Sequence, residues 1–120
     1  MRHLKTQLTT QLKNVYPKVY YENAPDDAVF PYVVYSLGSS YNNRTNCIYT
    51  LDLDVWDKNT SSKRVDDISK DLIKNLDMTG YIDEEIQYSL YFDRTVDTGS
   101  EDKTLKRKTV IFELRYTERS

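Results

Sequence analysis

Residues 48–57 read IYTLDLDVWD, and this stretch decides the fold. Successive residues of a β-strand point to opposite faces. One face of this stretch therefore carries the aliphatic side chains of Leu51, Leu53 and Val55. The other face carries Asp52, Asp54 and Trp56. Because burying each aliphatic side chain contributes roughly 1.5–3 kcal/mol, the aliphatic face determines the register. We predict a strand over residues 46–57 that ends at Asp57.

The two acids on the polar face allow two interpretations. At about 3.3 Å per residue, Asp52 and Asp54 lie about 7 Å apart. In water their repulsion costs only about 0.6 kcal/mol, so an ordinary exposed strand tolerates the pair. Together with Glu113, the same acids have the ligand chemistry of a metal-dependent nuclease or phosphoesterase, although Arg115 could instead pair with them. We favour the structural role and keep the metal-dependent enzyme as the alternative.

The composition limits the other classes of function. The 120 residues fit a single domain over 1–120, and a net charge of −2 provides no general attraction for nucleic acid or an anionic membrane. The single cysteine, Cys47, excludes an internal disulfide, and the single histidine, His3, lies at the start of the chain. The sequence contains no glycine-rich phosphate loop, no zinc-ligand spacing, no apolar signal region and no run of transmembrane length. We expect a soluble protein without a catalytic site, cofactor or metal.

Hydrophobic periodicity predicts the elements and their order. Leucines at positions 4, 8 and 12 indicate a first helix, which the Tyr16-Pro17 step ends. A second helix is expected from about Lys63 to Leu76, with Gly80 as its stop. The extended segments are 19–21, a central strand at 32–37 covered on both faces, 46–57, 86–92 and 110–116, with a turn at 38–43. The prediction is an α+β fold with two helices packed on a mostly antiparallel sheet of about four to five strands, in the order α-β-β-β-α-β-β.

The segment 93–107 is long, charged and poor in apolar residues. Such a loop in a small domain is usually mobile or functional, so we expect 93–107 to be a mobile contact loop. Its basic candidates for contact with a partner are Arg94, Lys103, Lys106 and Arg107.

The aromatic residues indicate a subunit contact. The chain has 11 tyrosines and one tryptophan, Trp56, which shares its strand face with two acids. A solvated face rarely carries a tryptophan, so we expect the first helix, the second helix or another subunit to cover it. The candidate subunit interface comprises Trp56, Tyr35 and Tyr49.

Several of these segments together resemble a known family. They are the amphipathic N-terminal helix, Phe30-Pro31-Tyr32-Val33-Val34, Leu51-x-Leu53-x-Val55-Trp56, and the helix from about Lys63 to Leu76. In type and order they are similar to the tail-terminator proteins of long-tailed bacteriophages and related prophages, also described as tail completion or head–tail joining proteins. The resemblance spans nearly the whole chain.

The resemblance implies a structural virion assembly protein with no catalytic activity. It implies a ring, usually a hexamer, that caps the tail tube and joins the tail to the head, or another neck component of similar size. Its partners would be the tail tube protein and head–tail connector proteins, and assembly would take place in the cytoplasm of the bacterial host. DNA would pass through the channel without specific binding, and Asp52 and Asp54 are the candidate channel-facing acids.

Overall fold

The described residues form two helices and six strands. The computed structural model describes residues 2–42, 46–99 and 101–119, and of residues 39–42 only the backbone. The elements in chain order are α1 (Arg2–Val15), β1 (Val19–Tyr21), β2 (Tyr32–Asn42), β3 (Asn46–Lys58), α2 (Lys63–Leu76), β4 (Gly80–Ile82), β5 (Ile86–Thr98) and β6 (Leu105–Glu118).

The strands form one mixed sheet in the order β1-β2-β3-β6-β5-β4. The pairing of β1 with β2 is parallel, and the four other pairings are antiparallel. The long strands β3 and β6 lie at the centre, where Leu53 is opposite Val110 and Asp52 is opposite Ile111. The predicted register of β3 is confirmed, because its aliphatic positions are fully buried and its acids are partly exposed.

Both helices cover the same face of the sheet. In α1, Leu4, Leu8 and Leu12 are fully buried, and in α2 the buried stripe is Val65, Ile68, Leu72 and Leu76. This face also carries Asp57, which is fully buried and accepts hydrogen bonds from Arg64 of α2. We call the opposite face, which no helix of the described chain covers, the open face.

The prediction of α+β architecture and of both helices is confirmed, and four details are wrong. In the described residues the sheet has six strands and not four to five, because the chain forms an additional short strand, β4, soon after α2. Gly80 starts β4 rather than stopping the helix, and the chain turns at Met78, which has a φ of 59°. β2 is covered on one face only and continues through the predicted turn to Asn42; the last position of that turn, residue 43, is outside the described residues.

The segment 93–107 is mostly strand. β5 continues to Thr98 and β6 begins at Leu105, so the connection between the two strands is short. The ends of these two strands consist mostly of polar residues. A search for alternating hydrophobic residues therefore does not detect them. β5 extends beyond its pairing with β4, which ends at Ser89, and has a bulge between Phe92 and Arg94. Similarly, β2 extends beyond its pairing with β1 and has a bulge between residues 39 and 41.

The helices are short, with 14 residues each. In the described part of the chain, neither helix has the length and apolar character needed to cross a membrane.

Candidate interaction surface

The open face brings together side chains from four neighbouring strands. Cross-strand pairing aligns them in rows perpendicular to β3. The row through Trp56 runs Tyr32, Trp56, Arg107 and Thr98. The next rows run Val34, Asp54, Thr109 and Val96, and then Ser36, Asp52, Ile111 and Arg94. Ile111 is only 7% exposed although no helix covers it, so the neighbouring side chains shield this face from water.

Arg107 covers Trp56. Its guanidinium carbon lies 5.0 Å from the centre of the indole ring, which is a favourable cation–π distance. The prediction that α1 or α2 covers Trp56 is wrong, because both helices lie on the other face of the sheet. Cover by a neighbouring subunit stays a prediction.

The same arginine also binds an acid of the neighbouring row. The Nη2 of Arg107 donates to Oδ1 of Asp54 at 3.2 Å, and the hydroxyl of Thr109 donates to the same oxygen at 2.5 Å. The charge of Asp54 is therefore compensated within the chain.

Asp52 is the acid without such a partner. Its Oδ1 is buried and accepts no hydrogen bond within the described residues. Burial raises the pKa of the Asp52 carboxyl, and the negative charge of Asp54 raises it further, while Arg94 and Arg107 partly oppose the shift. An unpaired buried oxygen is costly, so this position favours a hydrogen-bond donor from outside the chain.

The geometry does not support a metal site. The third acid of the enzyme alternative, Glu113, lies opposite Thr50 and accepts a hydrogen bond from Nε of Arg115 at 2.9 Å. The described ranges contain no group of three or more His, Cys, Asp or Glu residues that could hold a metal ion. Two of the three acids proposed as ligands therefore pair with arginines of β6.

An aromatic cluster lies at the Trp56 end of the open face. Tyr32 is opposite Trp56, stacks on Phe30 at 5.1 Å between ring centres, and meets the edge of Tyr20 at 5.9 Å. We call Tyr20, Phe30, Tyr32 and Trp56 the aromatic corner. The sequence indicated only Trp56. The run Phe30-Pro31-Tyr32 was the available signal for the rest, but its rings are brought together only by the β1–β2 pairing.

The other two residues of the predicted interface lie elsewhere. Tyr35 is fully buried on the helix-covered face, with its hydroxyl 2.5 Å from Thr9 of α1, so it belongs to the core of the subunit and not to its surface. Tyr49 is half-buried and meets Tyr116 edge-on at 6.2 Å. Burial, with a hydrogen bond to Cys47, raises the pKa of Tyr49 to about 12.

The four predicted contact cations lie in two places, because three of them line one groove and Arg94 is not part of it. Arg94 pairs with the adjacent Asp93, and Arg107 lies over Trp56. Together with Arg107, Lys103 and Lys106 line a groove of about 510 Å³ beside the β5–β6 connection. Since Asp66, Asp97 and Asp102 line the same groove, its charge is mixed.

The family comparison identifies the class of protein. The family model described as Tail completion protein gp17 matches residues 2–117. The chain belongs to this family. Tail completion proteins are structural components of the virion, so the protein is a structural tail or neck protein and not an enzyme. No curated protein sequence matches the chain.

A solved structure has the same fold. A chain of the virion of a native gene transfer agent (GTA) particle superimposes with a TM-score of 0.67 at 13% sequence identity. The match covers 89% of this chain and 84% of that chain. The tail completion fold is therefore retained where few residues are shared, which is expected when hydrophobic pattern determines a fold.

Proposed function

We propose that this tail completion protein forms a closed ring, a hexamer by its resemblance to tail terminators, that caps the tail tube and joins it to the head. The observation that carries the proposal is the aromatic corner on the open face. Aromatic residues with an adjacent arginine have the composition of binding hot spots. A ring requires a head-to-tail interface in which two different surfaces of each subunit meet, and the open face is one such surface.

Asp52 supports the assignment of the open face to a subunit contact. Its buried Oδ1 lacks a donor within the described chain, and it lies two rows from Trp56 on the same strand. A donor from the neighbouring subunit would satisfy that oxygen while the partner covers the aromatic corner. The acidic channel wall expected from Asp52 and Asp54 is not part of this proposal, since Arg107 and Thr109 bind Asp54.

The β5–β6 hairpin is proposed as the contact with the tail tube or with a head–tail connector protein. The molecule is elongated, with a longest extent of 48 Å against 26 and 22 Å. Lys103 is exposed and Lys106 partly exposed near the hairpin connection, where polar contact with a partner requires no rearrangement of the core. DNA would pass through the ring without sequence-specific contacts.

The experiment is native mass measurement with negative-stain imaging of the purified protein across a concentration series, alone and with purified tail tubes. We expect closed rings, either free or on tube ends. Trp56→Ala should abolish rings while leaving the circular dichroism spectrum of the subunit unchanged. The matched control is Ile82→Ala, which removes an apolar side chain that is 57% exposed on the edge strand β4.

Two outcomes contradict the proposal. One is a protein that stays monomeric at high concentration and binds neither tail tubes nor their ends. The other is a Trp56→Ala variant that forms rings as readily as the wild type, which would assign the subunit contact to another surface.

A further inference from the structure

The first part of the chain is purely basic. Residues 2–21 contain four cations and no carboxylate, and Glu22 is the first acid. This segment is α1 followed by β1. The net charge of the whole chain is −2, so positive charge is concentrated in one part of an acidic protein.

The helical period gathers these cations on one side of α1. Leu4, Leu8 and Leu12 face the core. Beside them on one flank of the helix lie the partly buried Lys5 and Thr9 and the exposed Arg2, Thr6, Thr10 and Lys13. We call this set the α1 basic stripe. At about 1.5 Å per residue, it is about 16 Å long from Arg2 to Lys13.

The cations of the stripe have no direct acidic partner among the described residues. The pKa of Lys5 is raised mainly by its contact with Tyr21, and the nearby charge of Glu22 contributes less. Of the ion pairs among described residues, none involves Arg2, Lys5 or Lys13. Lys5 lies 4.4 Å above the ring of Tyr21, a contact that preserves its charge. By contrast, the outer side of α2 alternates lysines with acids: Lys63, Asp66, Asp67, Lys70, Asp71 and Lys74.

The threonines of the stripe are already engaged. The hydroxyls of Thr6 and Thr10 donate to backbone carbonyls one turn earlier, both at 3.0 Å, and Thr9 bonds to the hydroxyl of Tyr35. They therefore supply a polar surface but no free donors. Recognition by this stripe has to rest on charge and not on hydrogen bonds to a specific group.

We propose that the α1 basic stripe binds the phosphate backbone of double-stranded DNA without sequence specificity. Phosphate contacts need only positioned cations, and they supply most of non-specific DNA affinity. A protein partner is disfavoured because the six stripe residues include no apolar or aromatic anchor of the kind that dominates protein interfaces, and Lys5 already covers the neighbouring ring of Tyr21. The inference concerns the surface of α1 and does not depend on ring formation.

The test is fluorescence anisotropy with a short labelled DNA duplex, measured with the full chain at several salt concentrations. Three phosphate contacts predict a slope of about −2.7 for log K against log salt. The variant Lys5→Gln/Lys13→Gln should raise the Kd at least about tenfold in low salt and reduce the magnitude of the slope by about 1.8. Arg2→Gln, made alone, should reduce it by about 0.9.

The matched control is Lys70→Gln/Lys74→Gln. It changes the net charge by the same amount at two exposed positions of α2, and its Kd should stay close to that of the wild type. Thermal unfolding of both variants verifies that the fold is intact. Equal weakening by the two variants, or no binding of the wild type in low salt, would overturn the proposal. A competition experiment with polyglutamate, added at the same concentration of negative charge as the duplex, gives a further test. If polyglutamate displaces the duplex, the proposal is overturned and the ligand of the stripe is an acidic protein surface.

Discussion

Asp57 at the end of β3 and Arg64 in the first turn of α2 form a two-point ion pair. Oδ1 of Asp57 accepts from Nη2 of Arg64 at 2.7 Å, and Oδ2 accepts from Nε at 2.9 Å. The backbone amide of Lys58 also donates to Oδ1 at 2.8 Å. The aspartate is fully buried while the arginine is about half exposed, so the pair connects the core to the surface.

Removing Arg64 should destabilise the protein, because the buried carboxylate of Asp57 then loses its ion-pair partner. Arg64→Met keeps the aliphatic volume but leaves Asp57 buried with its backbone partner alone. An unsatisfied buried group costs about 1–3 kcal/mol, which urea unfolding would measure as a lower midpoint. Asp57→Asn/Arg64→Met should recover part of the loss, because no charge remains buried. A single variant as stable as the wild type would show that Asp57 is already satisfied without Arg64.

Gly80 should not tolerate a side chain. A Cβ atom at this position would lie 2.6 Å from the backbone oxygen of Tyr88 on the paired strand β5. We expect Gly80→Ala to displace β4 and to cost roughly 1–3 kcal/mol, as overpacking usually does. Gly38→Ala is the control, because nothing lies within 4 Å of its added Cβ. Hydrogen exchange of the β4 amides measures the effect, and equal protection in both variants would contradict it.

The sequence predicted what depends on local periodicity. The leucine spacing of α1, the stripe of α2 and the alternation in β3 each identify an element and the face that it buries. The predicted bounds of α2, Lys63 to Leu76, agree with the structure. The buried parity of Asp57 was also visible, because it shares the face of Val55, but its partner Arg64 was not.

The sequence could not predict what depends on pairing between distant strands. Hydrophobic periodicity does not show which face of a sheet is left without helices. That Arg107 lies over Trp56 follows only from the register between β3 and β6. For the same reason Tyr35 resembled an interface residue, although α1 encloses it. The three-residue strand β4 is too short for any periodic signal.

Trp56 reports on the open face because it is the only tryptophan in the chain. Arg107→Ala removes the guanidinium above the indole ring and exposes the ring to water. We expect a red-shifted emission maximum and stronger quenching by acrylamide than in the wild type. Lys70→Ala, on the other side of the molecule, should leave both unchanged. If Arg107→Ala has no effect on quenching, another group covers the indole ring.

The lowered pKa of Asp83 should make the free energy of unfolding decrease more steeply as the pH falls. Hydrogen bonds from the hydroxyl of Tyr81, from His3 and from the amide of Ile86 hold the pKa of its carboxyl well below the usual range. Because the folded-state pKa lies below the unfolded value of about 3.9, this stabilisation is complete above that pH and is lost as the pH falls below it.

The measurement is the urea midpoint as a function of pH. Between about pH 5 and pH 3, the midpoint of Asp83→Asn should fall less than that of the wild type. Asp52, whose pKa is raised, acts with the opposite sign, so Asp52→Asn should make the acid decline steeper. The exposed Asp71→Asn is the control. Parallel curves for wild type and Asp83→Asn would exclude the proposed role of Asp83.

The two bulges have a consequence for how free chains behave before assembly. Both lie where β2 and β5 extend beyond the short strands β1 and β4, at opposite rims of the sheet. A bulge twists a rim away from the flat geometry that recruits another chain into an endless sheet. The bulges therefore oppose edge-to-edge stacking of single copies into fibres, which leaves the open face as the surface for the proposed subunit contact.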